Sequence, residues 1–158
     1  MFKIKLFSAI PILMLAFGLG QTANIFTVQG ASLPESTLEQ SALVDRFSHA
    51  LAEGDTQRAS ALLDPNVLIY EGGAAERSRE EYAAHHLGAD AAFLKSTQYQ
   101  VLSRSSGAAA DLAWVATEAR LTAKGAKPID LISTETMILR RTASGWRIVH
   151  IHWSSRTP

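Results

Sequence analysis

Helical spacing opens the readable part of the chain. Ser36-Thr37-Leu38-Glu39 fits a capping box, in which a serine oxygen and a glutamate carboxylate each satisfy a free backbone N–H. Leu43, Val44, Phe47 and Leu51 then recur on one apolar stripe, and Gly54 is a natural stop. Asp55 can cap a second, short helix carrying Ala59, Leu62 and Leu63, which Pro65 ends. Val67-Leu68-Ile69-Tyr70-Glu71 reads as a short strand, turned by Gly72-Gly73. Ser78-Arg79-Glu80-Glu81 is a second capping box, launching a helix through Tyr82 and His86 to Gly88.

From about Thr97 the pattern changes to strands. Tyr99, Val101 and Leu102 belong to one, with a turn near Ser106-Gly107. Residues 112–122, 129–141 and 146–154 form three more, separated by Lys124-Gly125 to Pro128 and by Ser144-Gly145. Short polar turns predict antiparallel pairing, because a parallel pair needs a long crossover. Helices first and a meander afterwards predict an α+β domain with the helices on one face of the sheet.

The first residues follow a different rule. Lys3 and Lys5 precede an apolar run over residues 6–19, the charge and length of a signal peptide. Pro11 and Gly18 interrupt the run, which is short for a membrane span, so an uncleaved anchor is the weaker alternative. Gly18, Gly20 and Ala23 offer cleavage points. The expected organisation is a signal peptide over residues 1–23, a linker over 24–35 and one domain over 36–158. That domain would be periplasmic or secreted, with no membrane contact after cleavage.

Composition narrows the chemistry. Hydrophobic residues make up 47% of 158, enough for a packed core. Fifteen basic side chains balance fifteen acidic ones, so no field draws the chain to nucleic acid. There is no cysteine, which excludes disulfides, thiolate metal sites, a cysteine nucleophile and a lipoprotein anchor. The sequence has no Gly-rich phosphate loop, no Gly-x-Ser-x-Gly and no His-Glu-x-x-His.

The last strand carries the strongest local signal. Strict alternation puts Ile148, His150, His152 and Ser154 on one side and Val149, Ile151 and Trp153 on the other. On the preceding helix Tyr82 and His86 share a face, with His85 turned away. Three readings of these histidines stay open. They are structural and hydrogen-bonded; or they line a pocket as donors or general bases; or His86, His150 and His152 converge on a metal. Glu71 ends a strand, and Glu118 and Glu135 lie inside strands, where a carboxylate buried beside aromatic rings becomes a usable base. Trp114 shares the Glu118 face, although Trp114, Trp146, Trp153 and Phe93 read as a group as core.

Taken together, the opening helix with Gly54-Asp55, the strand Val67 to Glu71 and the ending Gly145-Trp146-Arg147-Ile148-Val149-His150-Ile151-His152-Trp153-Ser154-Ser155 resemble the SnoaL-like, ketosteroid-isomerase-like proteins of the nuclear-transport-factor-two superfamily. The resemblance covers residues 37 to 156. It implies a cystatin-like α+β roll: a strongly curved antiparallel sheet with about three helices closing a cone-shaped pocket. It also implies that His150 and His152 fall where the last strand contributes to the pocket, and that two copies pair through the open sheet face. The isomerases' trio of aspartate base, tyrosine and protonated acid does not map onto the chain, so none of it is carried over.

The function expected is that of an exported domain binding a small apolar molecule without a cofactor. His150 and His152 are the catalytic candidates, for isomerase, lyase or hydrolase chemistry. Tyr70, Glu71, Tyr82, His86, Trp114 and Glu118 are the ligand-binding candidates, and no residue is assigned to a metal. A non-catalytic homodimeric binding module and a metal-dependent enzyme are the alternatives.

Overall fold

Residues 37–158 are described in the computed structural model; the leader, the linker and Ser36 lie outside them. Helix α1 (Leu38–Glu53) buries Leu43, Val44, Phe47 and Leu51, the stripe read from the spacing. It ends at Gly54, whose φ of 78° is the left-handed conformation that glycine adopts without strain. Asp55 caps α2 (Thr56–Ala61) by accepting the Arg58 backbone N–H at 2.9 Å.

Strand β1 (Leu63–Glu71) starts two residues ahead of Pro65, where the ladder to its neighbour is irregular and can spare a donor. Gly72 and Gly73, at φ 55° and 89°, form the two-residue turn to β2 (Ala74–Glu76). Ser78 caps α3 (Arg79–His85) by accepting the Glu81 N–H at 3.0 Å. The helix predicted to run on to Gly88 stops at His85. A separate α4 (Leu87–Lys95) follows, a fourth helix that the pattern did not separate from the third.

The strands β3 (Gln98–Ala109), β4 (Leu112–Ala123), β5 (Ile129–Thr142) and β6 (Gly145–Arg156) form the expected meander. One turn lies elsewhere: Ser106 and Gly107 pair with Val115 and Trp114 inside the ladder, and the chain reverses at Ala110-Asp111. The sheet order is β2-β1-β6-β5-β4-β3. The antiparallel expectation also needs correction, because β1 pairs with β6 in parallel. Those two strands are joined through the rest of the domain, which supplies the long connection a parallel pair requires. The result is a curved mixed sheet, not closed on itself, with helices against one face.

Register decides what that face contains. Along β4, Ala113, Val115, Thr117, Ala119 and Leu121 are buried, and the alternate residues point outward. Along β6, Ile138 pairs with His150 but Leu139 pairs with Ile148, so Val149 is an extra residue in a bulge. Trp146 and Ile148 before the bulge therefore share the inner side with Ile151 beyond it. His150 and His152 face outward with Tyr70 and Ile138, their neighbours across the ladder. Strict alternation through the bulge, which grouped Ile148 with His150, does not hold. Val115, Met137, Leu139, Ile148 and Ile151 meet Phe47 and Leu51 of α1 in the core. Each such side chain, fully buried, contributes about 1.5–3 kcal/mol.

Candidate functional site

Beyond the packed core the inner face of the sheet bounds a cavity of about 440 Å³. Phe47 and Leu51 of α1, Phe93 and Leu94 of α4, and Leu121 and Leu131 of the sheet make much of its wall apolar. Trp153 also lines it, stacked on Phe47 at 6.3 Å between ring centroids. Within this lining stand three carboxyl groups, Glu71, Asp90 and Glu135, together with Tyr99.

Glu135 is the most enclosed of them, 8% exposed on β5. Its Oε2 accepts the Trp153 indole N–H at 2.7 Å, while Oε1 has no hydrogen-bond partner. Burial raises its pKa, against the opposing effects of the Trp153 N–H and the Arg104 guanidinium. Tyr99 is pushed up to about 12, first by burial and then by the charge of Glu135.

Asp90 sits on α4, where its Oδ2 accepts the Tyr82 hydroxyl at 2.8 Å. Burial raises its pKa, and the Tyr82 bond and His86 partly oppose the shift. Glu71 ends β1 at the cavity mouth. Its carboxyl is raised by desolvation first and by Asp90 second, with His86 acting in the other direction. Tyr82 is buried and held as the neutral phenol by burial and by Asp90.

Glu71 also lines a second, smaller cavity of about 160 Å³, with Ile69, Ala74, Glu76, Tyr82 and His86. Glu76, 6% exposed, receives both neighbouring imidazoles. His86 Nδ1 meets its Oε1, and His85 Nδ1 lies 3.2 Å from its Oε2. His85 is therefore not turned away from the cluster.

Of the residues singled out in the sequence for their chemistry, Glu71 and Glu135 line the large cavity, and Glu71, Tyr82 and His86 line the small one. His150 lies on the other side of the sheet, its Nδ1 2.8 Å from the Leu68 carbonyl and its ring edge-on to Tyr70 at 5.4 Å. His152 is exposed on that same face. Tyr70, Trp114 and Glu118 also lie on the outer face, away from both cavities. Trp114 covers Gly107, where even a Cβ would come within 2.7 Å of its Nε1.

His86, His150 and His152 do not converge. Among the described residues, the group with ligand atoms close enough for a metal is Glu76, Glu81 and His85. The sequence reading missed Asp90, Glu76 and Tyr99 as site residues. Asp90 carried a usable signal, since it stands one helical turn beyond His86; Glu76 carried none, because only the β1–β2 turn brings it to the histidines.

A family profile described as a SnoaL-like domain matches residues 41–158, and the chain belongs to that family. A crystal structure of a candidate ketosteroid isomerase from Shewanella frigidimarina is 34% identical, covering 78% of this chain and all of that one, with a TM-score of 0.72. At 19% identity, an NTF2-like protein with a cystatin-like fold from Novosphingobium aromaticivorans shares the fold over 73% of this chain and 78% of its own, TM-score 0.62. So does the association domain of C. elegans CaMKII, at 15% identity, over 75% of this chain and 95% of its own, TM-score 0.64. No curated protein matches the chain.

Proposed function

We propose that the domain binds a small, largely apolar carbonyl compound in the large cavity and moves a proton on it. The volume lies within the range of small-molecule pockets, and the wall is apolar with a few polar groups, as such sites are. The observation that carries the reading is Glu135: a buried carboxyl with raised pKa in the cavity lining, one oxygen held by the Trp153 N–H and the other near the Thr117 hydroxyl but in no hydrogen bond of good geometry. In its protonated form, which burial favours, it donates its O–H to a carbonyl oxygen and strengthens that bond as the oxygen becomes an enolate. Glu71 at the mouth is the base that takes the proton from the carbon next to the carbonyl and returns it to the same or a neighbouring carbon. Asp90, engaged by Tyr82, raises the basicity of Glu71 by its charge. The acid–base role expected of His150 and His152 passes to carboxyl groups in this reading. The leader pattern supports the periplasm or the exterior as its place of action.

The test is hydrogen–deuterium exchange of β-tetralone, a small apolar ketone, followed by NMR in deuterated water. The expected result is accelerated exchange next to the carbonyl, reduced roughly 10²–10⁴-fold in Glu71→Gln. β-Tetralone binding without any acceleration would instead mark a binding protein.

A second reading, compatible with the first, has two copies packing through their outer sheet faces. It is supported by Leu112 and Trp114, 52% and 44% exposed on that face. Sedimentation of the wild type and Trp114→Lys tests it, a dimer reduced to monomer being the expected result.

A further inference from the structure

Glu76 is a buried acid of an unusual kind in this molecule. Asp64, also buried, faces the Arg140 guanidinium at 3.1 Å, a partner that stays charged at every working pH. The ion-pair partners of Glu76 are two imidazoles, His85 and His86, whose charge depends on holding a second proton. Glu76 also adds its negative charge to Asp90. A buried carboxylate in such surroundings is costly unless a cation compensates it.

The chain places further ligands where that cation would sit. Glu81 and His85 are one helical turn apart on α3 and so share a face. Their ligand atoms and one oxygen of Glu76 lie within 4.8 Å of one another. Ligands around a tetrahedral ion with bonds of about 2.0–2.2 Å stand roughly 3.3–3.6 Å apart, close to the 3.2 Å between His85 Nδ1 and Glu76 Oε2. Small rotations of the His85 side chain, 58% exposed, and of Glu81 close the difference.

A metal ion would replace the bond between His85 Nδ1 and Glu76 Oε2 and keep the other bonds of the cluster. The Arg77 backbone N–H donates to Glu81 Oε2 at 2.6 Å, which fixes that carboxylate and leaves Oε1 open. His85 can carry its proton on Nε2 and present the Nδ1 lone pair. His86 meets the other oxygen of Glu76 and would orient that carboxylate from behind, as partners of metal ligands do.

We infer that Glu76, Glu81 and His85 form a binding site for one divalent first-row transition ion, of which zinc is the reference. One imidazole nitrogen and two carboxylates suit zinc, cobalt or manganese, and exclude ions that demand thiolates. The site lies beside the small cavity, which Glu76 lines.

The experiment is titration of the chelator-treated full chain with Zn²⁺ by calorimetry and with Co²⁺ by its d–d absorption. The expected result is one ion per chain. Affinity would fall at least about tenfold in both His85→Ala and Glu81→Gln. It would be unchanged in His150→Ala and His152→Ala, which alter the histidines on the far face of the sheet. Glu81→Gln keeps an oxygen for the Arg77 N–H, so its loss of affinity would not reflect an unravelled α3. Binding that survives both ligand variants, or no binding by the wild type, overturns the assignment.

Discussion

The two faces of one sheet use similar residues for different ends. On the inner side of β5, Glu135 is enclosed with Trp153, and its carboxyl is raised by burial. On the outer side of β4, Glu118 is half-buried in a row between the exposed Trp114 and Arg120. The imidazole of His150 is tied to a backbone carbonyl on that outer side, while Ile151, next in the chain, is completely buried. Residue type alone would rank the two histidines of β6 above a single glutamate of β5 as chemical groups. Enclosure reverses the order, because a titratable side chain becomes a tuned acid or base when water is withdrawn from it.

The sharpest way to break this contrast is to change neighbours on β6. Ile151→Ala is expected to cost about 2–5 kcal/mol, as large-to-small changes in a packed core do. Chemical denaturation would measure it, and a cost below that of His152→Ala would mean the faces have been assigned the wrong way round.

A smaller effect is expected from Glu135→Gln, and its sign depends on pH. The folded state holds the Glu135 proton more tightly than the unfolded chain, whose ordinary value is 4.5. Glu135 therefore supports folding fully below about pH 4.5 and progressively less as pH rises towards its folded value. Each unit between the two values costs about 1.4 kcal/mol. Glu135→Gln should be more stable than the wild type at neutral pH, with the advantage vanishing in acid. Glu71 and Asp90 are raised as well and have the same sign, so the slope should flatten without disappearing. An advantage that grows in acid would show that Glu135 is not the enclosed group described here.

The smallest change should come from His152→Ala on the exposed face, within about 0.5 kcal/mol of the wild type. The same variant should leave β-tetralone exchange untouched. A large loss of exchange would return the last strand's histidines to the chemistry and remove the distinction between the faces.

Much of the fold was legible in the chain because its signals are local. The stripe of α1, the cap at Asp55, the turn at Gly72-Gly73 and the polar breaks between the last strands each depend on residues a few positions apart. The break between α3 and α4 was less legible, since no glycine or proline stands at His86 to announce it. The parallel pairing of β1 with β6 was not legible at all, because it joins residues about eighty positions apart. The site shared that weakness. Glu71, singled out because it ends a strand, lines the large cavity. The resemblance put His150 and His152 at the pocket, and the alternation that grouped them with Ile148 is cancelled by one extra residue, Val149.

By itself the sequence determined most of the helical and strand periods, the caps at Asp55 and Ser78 and the turns at Gly72-Gly73 and Ser144-Gly145, together with membership of a family that the ending on Trp146 to Ser155 already resembled. Those features rest on short-range sterics and on hydrophobic spacing, which a linear chain carries completely. Only the tertiary structure decided which acids share a cavity, which histidines meet Glu76 and which face the last strand turns inward. These depend on register across the sheet and on burial, and both arise only when distant segments exclude water together.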